Sequence, residues 1–244
     1  MEKWDRIVIR NGNPVMLGAN KNEEGMNFAA EVLPGAEAAL VLYQKGSAVP
    51  CREIPFTERM GKVCTMLVSG LNTKKYEYNF RIDGKIVQDP FAHGICGREQ
   101  FGIRGNGENE NQIRCTFLTE KEYDWEEDRL PQIPYEECII YRIHPRGFTK
   151  HPSSGVEQAK RGTFAGIVDK IPYLKELGVT TLEIMPPVEF EEIIMPERGD
   201  SPFGPEKPDG RLNYWGYGRG YSFAPKSSYC SGAVKQPIKE FKDM

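Results

Sequence analysis

The chain has 244 residues, of which 39% are hydrophobic and 27% are charged, and its formal net charge is −3. This balance is typical of globular domains and excludes the strongly basic composition of nucleic-acid-binding proteins. No apolar run approaches the roughly 20 residues needed to cross a bilayer, and the first ten residues lack the apolar segment of a signal peptide. We therefore expect a cytoplasmic protein of one or two domains that binds neither nucleic acid nor membranes.

The cysteines indicate reduced thiols. No two of them form a C-x-x-C pair, so the spacing does not predict a zinc site. In the absence of a secretory signal we expect thiols that are mostly buried. The six residues are Cys51, Cys64, Cys96, Cys115, Cys138 and Cys230.

Residues 1–125 predict a β-sandwich, with a barrel as the alternative. Runs of strand composition alternate with turn residues at the spacing typical of sandwiches. Asp83-Gly84 is a strong hairpin signal between two of the runs. The predicted strands are Ile7–Ile9, Asn27–Leu33, Ala39–Tyr43, Val63–Val68, Tyr76–Ile82 and Lys85–Gln88. Residues 92–112, rich in Gly and Asn, predict a loop. Residues 126–136 are charged, contain two prolines and predict a linker.

From residue 137 to 244 the pattern changes to strand, helix, strand. Ile139–Ile143 and Val179–Met185 predict two buried strands, and apolar residues spaced three or four apart predict a helix over Thr163–Leu177. Thr163 is expected as the N-cap and Gly178 as the residue that follows the helix. Pro172 predicts a kink or a restart of the helix. This order implies parallel strands with a right-handed crossover, the opening of a βαβ barrel.

The loop over residues 188–236 is far longer than a usual connection, and long ordered loops usually carry function. It contains the aromatic sequence Asn213-Tyr-Trp-Gly-Tyr217. In a barrel, a loop after a strand lies at the face that holds the active site. A further helix is expected from Pro237, because proline is favoured in the first turn of a helix.

Several motifs in this order resemble the α-amylase superfamily of glycoside hydrolases, in particular its debranching branch of isoamylases, pullulanases and glycogen-debranching enzymes. The motifs that carry the resemblance include Gly12–Pro14, Leu17–Ala19, Gly25–Ala29, Leu42-Tyr43, Tyr76–Phe80, Asp83-Gly84, Asp89–Ala92, Tyr141–His144, Arg146–Thr149, Gly162–Gly178, Leu182–Pro187, Asn213–Tyr217 and Phe223–Pro225. The resemblance implies a multi-domain fold: an immunoglobulin-like β-sandwich followed by the first part of a (β/α)8 TIM barrel, incomplete in this chain. Pro145 departs from the family pattern, and we expect the first strand to end at His144.

The resemblance also implies an activity, the hydrolysis of α-1,6 branch points in glycogen or starch with retention. The family uses an aspartate nucleophile, a glutamate general acid/base and a second aspartate, on barrel strands four, five and seven. This chain has strands one and two, so the resemblance places no catalytic residue in it. We therefore expect the N-terminal portion of an enzyme, inactive alone, with α-glucan as its partner and without a metal or other cofactor.

The aromatic sequence supplies the candidate substrate-binding residues Tyr217, Trp215 and Asn213. By resemblance, Tyr217 stacks under the sugar at the cleavage subsite, since an aromatic face suits the C–H face of a pyranose. The alternative is a tyrosine that packs the loop. Packing is favoured for Trp215 and Tyr214, and holding of the loop is favoured for Asn213.

The charged residues nearby favour structural roles. His144 and Arg146 lack further ligands at metal-binding spacing, which favours structural hydrogen bonds. Glu183 lies within the second strand, where a buried carboxylate needs a partner such as an arginine. Three glutamates form a run that favours a solvated loop, with a calcium site as the alternative. They are Glu189, Glu191 and Glu192.

Two further questions stay open in the sequence. The first domain has aromatic residues that could bind glucan, namely Trp4, Phe56, Tyr76 and Tyr78, but the alternation of Tyr76, Tyr78 and Phe80 favours packing. The chain as a whole could instead be a non-catalytic α-glucan-binding or interaction module, or a fragment without independent function. Two strands of an unclosed barrel expose edges, so we expect residues 137–244 alone to be poorly stable or to associate.

Overall fold

A computed structural model describes residues 6–103, 111–118, 123–193, 212–218, 220–232 and 236–244. These residues form two units. The first contains residues 6–97, 111–118 and 221–224, and the second contains the remainder. None of the helices in the described residues has the length and apolar character needed to span a bilayer.

The first unit is built from eleven described strands in two antiparallel sheets. The strands are β1 Val8–Arg10, β2 Gly18–Lys21, β3 Met26–Glu31, β4 Ala38–Gln44, β5 Pro50–Pro55, β6 Glu58–Met60, β7 Val63–Ser69, β8 Tyr76–Ile82, β9 Lys85–Val87, β10 Gly94–Cys96 and β11 Arg114–Thr116. One sheet has the order β1-β7-β3-β2, with β6 also on β7, and the other has the order β10-β11-β8-β4-β5, with β9 also on β8. The predicted β-domain is confirmed.

The core of the first unit is apolar. Phe28, Leu40 and Met66 are fully buried, and Tyr78 and Phe80 are nearly so. These residues belong to one cluster contributed by both sheets, against which Phe56 and Tyr76 also pack. The aromatic residues considered for glucan binding therefore contribute to packing, except Trp4, which lies outside the described residues.

The turn between β8 and β9 follows the sequence prediction. Asp83 and Gly84 have φ of 46° and 77°, and Ile82 faces Lys85 across the hairpin. Positive φ at both central residues is the requirement of a type I′ turn, which Asp-Gly meets with little strain. By contrast, the predicted loop over residues 92–112 contains β10, which pairs with β11 in an antiparallel ladder.

Half of the six cysteine thiols are buried. Cys64, Cys115 and Cys230 are buried, and the other three cysteines are half-buried. Burial raises the pKa of the Cys115 thiol, so it stays protonated.

In the first unit, Asp89 accepts hydrogen bonds from the Tyr78 hydroxyl at 2.7 Å and from the Phe91 amide at 2.9 Å. Burial nevertheless raises the pKa of Asp89.

The second unit combines short strands with short helices. The strands are β12 Ile140–Ile143, β13 Thr181–Ile184, β14 Val188–Phe190 and β15 Gly220–Pro225, of which residues 221–224 are grouped with the first unit. The α-helices are α1 Pro145–Lys150, α2 Phe164–Val168, α3 Ile171–Glu176 and α4 Pro237–Asp243. Single 3₁₀ turns span Tyr135–Glu137, Pro152–Ser154, Gln158–Lys160 and Ser227–Tyr229.

The predicted helix restart at Pro172 is confirmed. Helix α2 ends at Val168, and α3 begins at Ile171 with Pro172 in its first turn, where a missing N–H costs nothing. Thr163 caps α2 by accepting a hydrogen bond from the Gly166 amide at 3.3 Å. Gly178 follows α3 with φ of 83°, as the sequence predicted.

Strands β12 and β13 pair in parallel, with Ile140 opposite Thr181 and Arg142 opposite Glu183. The prediction that both strands are buried is wrong. Ile139 and Ile140 are 53% and 57% exposed. Each strand pairs with the other alone among the described residues, so apolar composition by itself does not bury them.

The first strand ends one residue before the predicted end. Ile143 is its last residue, and His144 is the N-cap of α1, whose first residue is Pro145. Proline is favoured at this position because the first helical N–H has no intrahelical partner. The sequence did not predict α1, because its six residues are too few to show an apolar period.

Candidate functional site

The candidate site is the segment 212–218 of the second unit, called here the aromatic loop. Asn213 organises it. Its amide nitrogen donates to the Glu191 carbonyl at 3.2 Å and to the Tyr217 carbonyl at 2.9 Å, and its side-chain oxygen accepts from the Gly216 amide at 3.1 Å. The Asn213 backbone N–H donates to the Glu192 carbonyl at 2.7 Å. Asn213 is thus committed to holding the loop.

Gly216 is required by the shape of this loop. Its φ is +78°, in the left-handed region that favours glycine. A Cβ at this position would lie 2.7 Å from the ring of Phe190. The absence of a side chain lets the loop backbone approach the buried Phe190.

His144 holds the aromatic loop from the end of strand β12. Its ring lies parallel to the ring of Tyr214, with centroids 4.3 Å apart and planes at 10°. Its Nε2 is 2.7 Å from the Tyr214 carbonyl oxygen, and its Nδ1 accepts from the Gly147 amide at 2.9 Å. Burial lowers the pKa of His144, and the charge of Arg146 acts in the same direction. The expected structural role of His144 agrees with this geometry.

Tyr214 packs, as the sequence favoured, whereas Trp215, for which packing was also favoured, is largely exposed, as is Tyr217. An ideal Cβ on Gly147 would lie 2.9 Å from the Tyr214 hydroxyl, so glycine makes room for this ring. Trp215 and Tyr217 are 56% and 62% exposed. Trp215 contacts His144 and Tyr214 edge-on, at centroid distances of 5.7 and 5.8 Å. The loop therefore exposes two aromatic side chains on a backbone that is held by hydrogen bonds to the side chains of Asn213 and His144.

An exposed ion pair lies at the strands beside this loop. Arg142 Nη2 is 2.6 Å from Glu183 Oε1, with both side chains more than half exposed. The hydrogen bond and charge of Glu183 raise the pKa of Arg142, and Tyr217 adds a smaller effect of the same sign. The expected arginine partner of Glu183 is confirmed, but Glu183 is not buried.

A buried charged cluster underlies the loop. It consists of Lys226 with Glu189 and Glu192, at Nζ–Oε1 distances of 2.8 and 2.7 Å. Lys226 and Glu189 are fully buried, and the ammonium lies 3.9 Å from the centre of the Phe190 ring. Ser227 donates to Glu189 through its amide at 3.0 Å and its hydroxyl at 2.7 Å.

The prediction of a solvated glutamate run is therefore wrong for Glu189 and Glu192. Glu192 is 5% exposed; it accepts from the Ser228 hydroxyl at 3.2 Å and from the Gly102 amide. Glu191 is exposed and accepts hydrogen bonds from Nη1 and Nη2 of Arg98. Burial would raise the pKa of Glu191, but the hydrogen bond and charge of Arg98 outweigh it and lower that pKa.

The exposed residues of this site are suited to binding an apolar or hydroxyl-rich surface. Among the described residues no group of three His, Cys, Asp or Glu is arranged to hold a metal ion. Exposed aromatic rings on a fixed loop suit the C–H face of a sugar ring. The Arg142–Glu183 pair offers charged donors and acceptors nearby.

Sequence reasoning found the aromatic loop but missed two of its supports. Lys226 follows Ala224-Pro225 in a segment with no charge pattern, and its partners lie 37 and 34 residues earlier. The stacking of His144 on Tyr214 joins residues 70 positions apart. The sequence contains one indirect signal, the glutamate run, because any of its carboxylates that becomes buried requires a cation.

Comparisons with known proteins found proteins that are similar to this chain in sequence and in fold. No family model matches the chain. It is 32% identical to isoamylase 1 (chloroplastic) of Arabidopsis thaliana, over 98% of this chain and 33% of that protein. It is 31% identical to the glycogen operon protein GlgX homolog of Haemophilus influenzae, over 97% of this chain and 37% of that protein. The chain spans about a third of the length of these curated relatives.

Solved structures have a similar fold. Pullulanase type I from Bacillus subtilis, complexed with maltose, has a TM-score of 0.66 at 24% identity, over 93% of this chain and 30% of its own. The catalytic module of the glycogen-degrading pneumococcal virulence factor SpuA has a TM-score of 0.68 at 22% identity, over 93% of this chain and 34% of its own. At these identities the likeness is one of fold.

Proposed function

We propose that this chain, which is similar in sequence to isoamylase 1 and to a glycogen operon protein GlgX homolog, is the N-terminal part of an α-amylase-superfamily hydrolase. The proposed reaction is cleavage of α-1,6 branch points in glycogen or starch with retention. One observation carries the proposal: Tyr217 and Trp215 are exposed on a loop whose backbone is fixed by Asn213. A loop backbone held in this way reduces the entropy cost of ordering the binding site when a sugar binds.

We propose further that β12 and β13 are the first two strands of a (β/α)8 barrel. Their parallel pairing and the helices between them support this fold, because parallel strands need a crossover connection. In such a barrel the loops after the strands form the active-site face. The aromatic loop and the Arg142–Glu183 pair would then face the same cleft.

The contribution of this chain is binding, and we assign no catalytic residue to it. Among the described carboxylates near the loop, Glu183, Glu189 and Glu192 are each engaged in an ion pair. Retaining glycosidases need two carboxyl groups about 5 Å apart on either side of the glycosidic bond. We therefore expect the 244-residue chain to bind α-glucan without hydrolysing it.

The proposal is tested by affinity electrophoresis in pullulan and glycogen, with release of reducing sugar measured in parallel. Retarded migration without turnover is expected. Replacing Tyr217 with alanine should weaken binding about fivefold, since an aromatic contact contributes about 1 kcal/mol. Tyr135→Ala is the matched control, because Tyr135 is 89% exposed in the 3₁₀ turn Tyr135–Glu137. Equal retardation of both variants, or turnover by the chain, would contradict the proposal.

A non-catalytic α-glucan-binding module is the second candidate, and the exposed Trp215 and Tyr217 would serve it equally well. Binding by the chain alone is shared by both candidates. Turnover of pullulan by a longer protein that continues from residue 244 into further strands would decide for the enzyme. Glucan binding by that longer protein without turnover would decide for the binding module.

A further inference from the structure

The aromatic loop is fixed by one titratable side chain, His144, which is 8% exposed. The Gly147 amide can only donate, so the Nδ1 atom that it contacts at 2.9 Å carries no proton. The Tyr214 carbonyl can only accept, so the Nε2 atom at 2.7 Å carries one. The two contacts together require a neutral imidazole protonated at Nε2.

A second proton would have to go on Nδ1. It would remove the acceptor of the Gly147 N–H and direct two N–H groups at each other. Gly147 lies in the first turn of α1, where the amide has no partner within the helix. Protonation of His144 therefore breaks the contact that sets the orientation of the ring.

One group that faces this ring favours a positive charge: the hydrogen bond to the Tyr214 carbonyl raises the pKa of His144, but burial lowers it by more. The facing groups are Tyr214 on the aromatic loop, Tyr229 on the turn Ser227–Tyr229 and Arg146 on α1, and Arg146 is itself cationic. Behind Tyr229, the charges of Glu189 and Glu192 are engaged by Lys226. The geometry thus favours the neutral ring.

We propose that His144 is a positioning residue of the glucan-binding loop: its neutral ring holds Tyr214 and Trp215 in the binding conformation, and protonation at acid pH releases them. This inference rests on the proposed glucan-binding function. It extends that function by naming the side chain that keeps the site formed and the condition under which the site is lost.

The expected pH dependence follows from the state required for binding. When the neutral form alone binds, the apparent Kd equals the intrinsic Kd divided by the neutral fraction. The apparent Kd should therefore rise about tenfold for each pH unit below the midpoint of the titration. Above that midpoint it should be constant.

The test uses the full chain and maltohexaose, with Kd measured by calorimetry from pH 8 to pH 4.5. His144→Gln is the informative variant, because its amide can donate to the Tyr214 carbonyl but does not titrate in this range. It should bind at pH 8 and keep the same Kd at low pH. His151→Asn is the matched control. His151 is an exposed histidine that caps the neighbouring turn Pro152–Ser154, so this variant should keep the pH dependence of the unchanged protein.

A second readout does not need the sugar. With Trp4 and Trp125 replaced by phenylalanine, the fluorescence of Trp215 reports on the loop. It should change with pH in this background and in His151→Asn, and stay constant in His144→Gln. Circular dichroism at each pH verifies that the variants are folded.

The outcomes separate the two proposals. A Kd that is constant with pH in the unchanged chain, or that varies equally in His144→Gln, overturns the role of His144. If maltohexaose fails to bind at any pH, the proposed function fails. In that case a fluorescence transition that depends on His144 still supports its hold on the loop, and a transition independent of His144 overturns it.

Discussion

The two units of this molecule differ in the balance of apolar and charged side chains that they bury. The first buries an apolar cluster around Phe28, Leu40 and Met66, between sheets whose strands have partners. The second buries Lys226 and Glu189 next to aromatic rings, while its apolar strand β12 is exposed. The first core is mainly apolar, although that unit also buries the Glu77–Arg114 ion pair, at an Oε2–Nε distance of 2.6 Å. In the second, burial depends on charges that must be matched and on strands that must be covered.

The largest expected effect is a difference in stability between the two segments when each is produced alone. Residues 1–120 should unfold cooperatively, because their core is supplied largely by their own strands. Residues 137–244 should show no sharp transition and should associate, since a two-stranded sheet is marginally stable and its edges are open. Thermal melts by circular dichroism and size-exclusion chromatography would measure this. A sharp, reversible and monomeric melt of residues 137–244 would remove the contrast.

The next largest effect is expected at the buried charged cluster. Lys226→Met leaves Glu189 and Glu192 without their cation and should reduce the free energy of unfolding by about 3–5 kcal/mol. Lys239→Met is the control: Lys239 pairs with Asp243 at 2.5 Å on the exposed helix α4, where loss should be about 1 kcal/mol or less. Urea unfolding at pH 7 gives both values. Equal losses would mean that the cluster does not stabilise the second unit.

Two substitutions that shorten an aliphatic side chain compare a buried strand of the first unit with an exposed strand of the second. Leu40 is fully buried, and Leu40→Ala should reduce the free energy of unfolding by about 2–5 kcal/mol. Ile140 is 57% exposed on β12, and Ile140→Ala should cost less than about 1 kcal/mol. Urea denaturation of the two variants measures the difference. A large loss at Ile140 would indicate that β12 is covered in solution.

The smallest effect is a pH dependence of the first unit. Burial raises the pKa of Asp89 above its ordinary value of 3.8, so the folded state binds its proton more tightly than the unfolded state. The contribution of Asp89 to stability should therefore fall as the pH rises from about 3.8 through the raised pKa, and then level off. Asp89→Asn should abolish this fall in urea titrations between pH 4 and pH 7.

The control for this prediction is Asp83→Asn. Asp83 lies in the exposed turn between β8 and β9 with positive φ, which asparagine tolerates. This variant should keep the pH dependence of the unchanged chain. Loss of the dependence in Asp83→Asn, or its persistence in Asp89→Asn, would assign the effect to another carboxyl group.

Local signals predicted much of the fold. Tyr76–Ile82 and its Asp83-Gly84 turn have the predicted bounds, and the restart of the helix at Pro172 follows from the chemistry of proline. These predictions succeed because the deciding interactions lie within a few residues. Short elements such as β10 and α1 contain too few residues to express a period.

Prediction of the candidate site was less complete for a different reason. The exposed positions of Trp215 and Tyr217 and the holding role of Asn213 depend on contacts with residues 191 and 192, which adjacency in sequence does not indicate. Burial of Glu189 depends on Lys226, and the orientation of Tyr214 on His144. Whether Tyr217, Trp215 and Asn213 bind substrate stays a prediction.

The buried cluster also limits how this sequence can vary. An uncharged residue at Lys226 leaves two buried carboxylates unmatched, and loss of Glu189 removes the acceptor of the Ser227 amide and hydroxyl. Substitutions at residues in one such network have strongly non-additive effects. Positions 189, 192 and 226 should therefore covary among related sequences. A lineage that changes one of them should carry a compensating change at another.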